Sequence, residues 1–177
     1  MRVLSKAVVV GAVGAAVAAT FAGVALAAAD DAPTETNGGS IVEDFSYPGA
    51  AAILAQQNVE LISGDGHIVL ADCAASPAGD VGLIQVYTTE QIGQTGDGVI
   101  CFKALASTGR LDLKVPAVYE VHGDGRTSTT GHNGTATVIT DDGERTTKNL
   151  DPNGSIQFGI GDGGTEPTTL VQLTVKP

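Results

Sequence analysis

The chain has no tryptophan, one methionine and two cysteines among its 177 residues, and aromatic side chains make up only 4% of it. Lack of tryptophan removes the broadest ring that a sugar-binding β-domain can offer. Basic residues are scarce as well: 9 Lys and Arg stand against 20 Asp and Glu, a formal net charge of −11. Nucleic acid and anionic lipid are bound mainly by Lys and Arg neutralising phosphates, so this balance argues against both as partners. Cations and basic partners suit it better, and the same acidity favours solubility. Catalytic signatures are missing too. No Gly-x-Ser-x-Gly elbow occurs, and no cysteine or histidine spacing matches a zinc or redox motif. The acids are too many for sequence alone to single out the carboxylate pair of a glycosidase.

One long hydrophobic run is present. Arg2 and Lys6 precede an uncharged stretch from Ala7 to about Ala27, which ends in Ala25-Leu26-Ala27-Ala28-Ala29 before Asp30-Asp31. Small residues therefore stand where a peptidase cuts after Ala27 or Ala29, and residues 1–29 read as a secretory signal peptide. An uncleaved anchor is the alternative, since about 20 apolar residues span a bilayer. Against it, Ala and Gly lower the hydrophobicity, and no Lys or Arg cluster follows to stop transfer. Neither a lipid-bearing Cys nor a twin-arginine pair accompanies the run. The expectation is a secreted protein, extracellular or associated with the cell wall, with no membrane contact after cleavage.

Residues 30–43 combine acids, Thr, Pro and Gly with little apolar content and read as a flexible acidic linker. A single β-domain is expected over 44–177. Ala50 to Gln57, with Pro48-Gly49 before and Asn58 after, predicts one short helix near 49–57, packed on the edge or end of a sheet. Beyond it come short segments rich in Val, Ile, Leu, Thr and Tyr, at 59–63, 67–73, 82–88, 99–105, 110–115, 117–122, 134–140, 144–149, 154–160 and 169–175. Alternation such as Leu111-Asp112-Leu113-Lys114-Val115 puts apolar and polar side chains on opposite faces. Asp65-Gly66, Asp142-Gly143 and Asn153-Gly154 supply the positive φ of tight turns, and Pro116 marks a break between strands. The fold class expected is all-β: an antiparallel β-sandwich, immunoglobulin-like or jelly-roll-like.

Cys73 and Cys101 both lie in the exported part, where an oxidising compartment favours their pairing. A reactive or metal-binding pair is the alternative, but the spacing carries no local motif. Phe45-Ser46-Tyr47-Pro48-Gly49-Ala50, the run Ser63 to Cys73, Val99-Ile100-Cys101-Phe102, Leu111 to Pro116 and the closing Thr169 to Val175 together resemble a group of small secreted proteins of actinobacteria. The resemblance covers roughly 45–175. It implies export, a disulfide and a small β-rich domain, and it carries over no catalytic or ligand-binding residue.

Several sets of residues bear on chemistry. Gly-Asp-Gly occurs at 64–66, 96–98, 123–125 and 161–163, which makes calcium a candidate cofactor, with Asp141-Asp142 the densest acidic pair. Turns are the simpler reading, because the Asp-x-Asp-x-Asp spacing of a calcium loop is missing. His122, Asp124 and His132 could form a 2-His-1-carboxylate metal set, or be two exposed histidines near a turn. Tyr87 and Tyr119 are the candidate exposed aromatics for a glycan. Asn133-Gly134-Thr135 is a glycosylation sequon that matters only with suitable machinery. No catalytic or cofactor-binding residue is singled out. The function expected is a non-enzymatic binding or surface-interaction protein, its partner a protein or cell-wall polymer. An enzyme inhibitor or effector acting through 75–80 or 93–98, and a hydrolase with an unread site, are the alternatives.

The leader makes a testable prediction. Expressed in a secreting bacterial host, the protein in the medium should start at Ala28 or Asp30, as read by N-terminal sequencing. A cell-bound product retaining Met1 would favour the anchor.

Overall fold

A computed structural model of the chain describes residues 45–75, 77 and 79–177. The leader over 1–29 and the linker over 30–43 lie outside the described residues, which belong to one compact unit spanning Val42–Pro177. Among the described residues a single α-helix, α1 (Ala50–Gln57), is followed by ten strands: β1 (Glu60–Gly64), β2 (Ile68–Ala71), β3 (Ile84–Thr88), β4 (Val99–Ala104), β5 (Gly109–Val115), β6 (Val118–His122), β7 (Asn133–Thr140), β8 (Arg145–Leu150), β9 (Ser155–Gln157) and β10 (Thr168–Lys176). The first sheet has the order β1-β5-β10-β7-β8 and the second β2-β4-β3-β6-β9, with every pair antiparallel. This is the antiparallel sandwich with one short helix that the alternation predicts. Six of the nine connections between strands change sheet, so the chain laces the two layers together.

The inner faces carry the apolar half of each alternating strand. In β5, Leu111, Leu113 and Val115 are wholly buried while Arg110 and Lys114 face water. Together with Leu170 and Leu173 of β10 they share one core with Ile84, Val86, Ile100 and Phe102 of the second sheet. Removing a buried leucine from such a core costs roughly 2–5 kcal/mol, the transfer term plus the cavity left behind. The helix adds little. Ile53 packs against the core, Leu54 stays 45% exposed, and Asn58 in the left-handed region stops the helix.

The ten strands match the ten segments, most of them to within one or two residues. Two end early. Asp72 folds back to accept the backbone N–H of Ala74 and ends β2, and Phe158 leads from β9 into a 3₁₀ turn at Gly159–Asp162. Gly66 and Gly143 take the positive φ expected, at 80° and 91°. Asn153-Gly154 does not: neither residue has positive φ, and Asp151 Oδ1 instead accepts the Asn153 N–H in an Asx turn. Ile62, in a strand that should alternate, is 42% exposed because the register slips between Leu61 and Ser63 and leaves it in a bulge.

Cys73 and Cys101 form a disulfide with Cα atoms 5.2 Å apart, joining the end of β2 to β4. Closing that span restricts the unfolded chain by roughly 3.5 kcal/mol on the loop-entropy account.

The outer face of the first sheet is a network of polar groups satisfied among themselves. Arg110 grips Asp112 through two hydrogen bonds of 3.0 Å, and Gln172 and Ser63 also donate to Asp112. Thr135 pairs with Thr174 and Thr137 with Thr147 across neighbouring strands. Burial alone would raise the Asp112 carboxyl, but the hydrogen bonds from Arg110, Gln172 and Ser63 and the Arg110 charge outweigh it and hold it below its ordinary value of 3.8. A carboxyl lowered by folding lends stability above its unfolded pKa and loses it as the pH falls through the folded one. Urea midpoints should therefore drop as the pH falls below about 4. Asp112→Asn should flatten that drop, and an unchanged acid profile would remove Asp112 from the account.

Candidate functional site

The outer face of the second sheet is built differently. Register places Gln85 of β3 beside His122 of β6, and Tyr87 beside Glu120. Val99 and Cys101 of β4 flank these rows on one side, and Gln157 and Ser155 of β9 on the other. A register shift between Tyr87 and Thr88 brings Tyr119 toward the same surface. The Tyr87 ring lies 5.1 Å from His122 and 6.3 Å from Tyr119, centroid to centroid, with interplanar angles of 52° and 50°. The three rings thus form a stepped surface, all of them partly exposed.

Polar groups are interleaved with the rings. Tyr87 donates its hydroxyl to Gln85 Oε1 at 2.7 Å, and His122 Nε2 stands 3.1 Å from Glu120 Oε1. Burial first, then Glu120, Tyr119 and Asp97, push the Tyr87 phenol above its ordinary value of 10.0, so it stays a neutral donor. A hollow of about 300 Å³ opens at the His122 and Gln85 end, bounded by Cys73, Gly82, Gly123 and Arg126. Past Tyr119 lies a shallower one of about 550 Å³, lined by Thr88, Thr89, Ile160 and Gly161.

The wall of the first hollow is a glycine-packed knot. A side chain on Gly123 would place Cβ 2.1 Å from the Asp151 carbonyl oxygen, and one on Gly125 would meet Pro152 O at 2.5 Å. Backbone N–H groups of Gly123 and Gly125 donate to Gly154 and Pro152 there. Between these glycines Asp124 is 2% exposed and accepts two hydrogen bonds from one residue: the His132 N–H at 2.8 Å and His132 Nδ1 at 2.7 Å. Burying a carboxylate is costly unless donors replace water, and His132 supplies both.

The candidate metal residues are thus divided. His132 and Asp124 come together, while His122 turns to Glu120 and Tyr87. Among the described residues no group of three His, Cys, Asp or Glu side chains is arranged to hold a metal ion. Three of the four Gly-Asp-Gly segments bend the chain at the surface: Asp65 caps His67 and Arg110, Asp97 accepts from the Val99 N–H, and Asp162 closes a 3₁₀ turn and meets Lys148. The fourth buries Asp124, for which a turn reading gives no reason. Asp142 accepts from Thr140 and the Glu144 N–H within the β7–β8 hairpin. The turn at 93–98 is bonded back to the helix through Gly93 N–H to Gln57 O at 2.8 Å. In 75–80 the described residue Gly79 accepts from Arg126 Nη1.

Gln85 and Glu120 escape sequence reasoning. The alternation of Gln85-Val86-Tyr87 and Glu120-Val121-His122 shows which side chains share a face of each strand, but not that the strands are neighbours. Comparison of the chain with protein families and with curated proteins finds no match. No helix among the described residues is long and apolar enough to cross a membrane.

Removing the His132 side chain deprives a buried carboxylate of a donor, so His132→Ala should lower stability by roughly 2–3 kcal/mol in denaturant unfolding. Asp124→Ala with His132→Ala should recover part of that loss. A single variant as stable as the parent would show that the pair does not hold the loop.

Proposed function

We propose that the chain is an exported, non-enzymatic binding protein, acting outside the cell or at its wall, with its ligand on the outer face of the second sheet. The observation that carries this reading is the Tyr87, Tyr119 and His122 cluster, set among Gln85 and Glu120 and open to solvent. No strand of the first sheet carries an aromatic residue, which supports the choice of face. A disulfide-bonded domain behind a signal-like leader supports export, as does the resemblance to small secreted actinobacterial proteins.

The hydrolase reading draws on one observation, the Asp124–His132 pair, since a carboxylate that orients an imidazole is half of an acid–base relay. Among the described residues no serine, threonine or cysteine is hydrogen-bonded to His132 to complete it. The pair is accounted for by holding the 123–132 loop. Binding therefore remains the stronger reading.

Immobilised oxidised protein should retain a specific polymer or protein from the producer's cell-wall fraction or culture medium. A Tyr87→Ala/Tyr119→Ala variant with an unchanged circular dichroism spectrum should retain little of it. Equal retention would sink the assignment of the face, and retention by neither would sink the binding reading.

A further inference from the structure

We infer that the ligand of this face is a chain of uncharged pyranose sugars, an inference that rests on the binding reading above. Pyranose rings present a C–H face to an aromatic ring and a rim of hydroxyls to planar polar side chains. Both requirements are met here within two neighbouring rows. Tyr87 and Tyr119 supply separate, mutually tilted ring faces with centroids 6.3 Å apart, so successive sugars twisted relative to one another could each find a ring. Between and beside them stand an amide, a carboxylate and an imidazole, Gln85, Glu120 and His122. Their remaining donors and acceptors suit hydroxyls, which both give and receive hydrogen bonds.

The shape favours a polymer over a small molecule. Enclosed sites bury most of a small ligand, whereas this surface is open and has a hollow beyond each end, about 300 Å³ past His122 and about 550 Å³ past Tyr119. A chain can cross the rings and continue at both sides. Charge argues against the anionic polymers: the protein carries −11 overall, Glu120 stands in the middle of the face, the two rows hold no Lys or Arg, and Arg126, which borders the first hollow, donates to Gly79 O. Single-stranded nucleic acid, which also stacks on aromatics, needs a cationic groove that these rows lack. A protein partner would call for an apolar centre, and the exposed large aliphatic group bordering the rings is Ile160, at one end.

The composition provides the readout. With no Trp and three Tyr in the chain, two of them on this face, tyrosine emission reports occupancy directly. The full chain, produced oxidised, would be titrated with cellohexaose, chitohexaose and mannohexaose, and with an oligoglucuronate as the anionic control. Emission should change saturably with at least one neutral hexasaccharide, with little dependence on salt, and not with the oligoglucuronate. By calorimetry, Tyr119→Ala should weaken that binding about tenfold, whereas Tyr119→Phe, which keeps the ring and its packing, should retain most of it. Binding that survives Tyr87→Ala/Tyr119→Ala unchanged would overturn the inference. No response to any neutral hexasaccharide, while retention of cell-wall material still needs both tyrosines, would overturn the sugar assignment and leave the face standing. Loss of both would overturn the binding reading with it.

Discussion

Leu111, Leu113 and Val115 of β5 and Leu170 and Leu173 of β10 have no contact with water, and they share one core with the inner rows of the second sheet. Burial between these two layers is the constraint on which the rest depends, because the favourable free energy scales with the apolar area removed from water. It fixes which side of every strand faces in, and so which side is left for partners. A slip of one residue in β3 would send Gln85 and Tyr87 inward and Val86 outward. The candidate face is thus the reverse side of the core.

Two devices hold the margin of that face. The Cys73–Cys101 disulfide secures the end of β2 to β4, next to the row that contains Gln85 and His122. The glycine-packed loop from Gly123 to Gly131 is fastened by Asp124 and His132 and by backbone bonds to Pro152 and Gly154. Among the described residues no buried side-chain polar atom lacks a hydrogen-bond partner. A binding surface set on strands and tied at its border presents its groups in a fixed arrangement, which limits the ordering cost of a ligand. Lys148 of β8 reaches Gln157 O and Asp162, linking the two sheets at the opposite margin.

Strand positions were legible because alternation of apolar and polar residues is a local property. Leu111-Asp112-Leu113-Lys114-Val115 states its own two faces, and Asp-Gly pairs mark where the chain reverses. Reading failed where a tertiary contact chose between local options. Asn153-Gly154 looks like a tight hairpin turn, but the Gly154 and Pro152 carbonyls accept the N–H groups of Gly123 and Gly125 from another part of the chain, and neither Asn153 nor Gly154 takes a positive φ. Asp124 looks like one more surface turn and is instead buried on a histidine eight residues away. Tyr87 and Tyr119 could be named singly as exposed aromatics. That they adjoin each other and His122 could not.

By itself the sequence determined an acidic, aromatic-poor chain of ten short strands and one short helix, behind a signal-like leader, with two cysteines suited to pair. Those properties depend on residue type and on spacing along the chain. Tertiary structure alone decided the strand order, and with it the meeting of Tyr87 from β3 with Tyr119 and His122 from β6. The physical reason is that strand neighbours are chosen by global packing of two sheets across a shared core. No local pattern records which of ten similar strands will lie side by side.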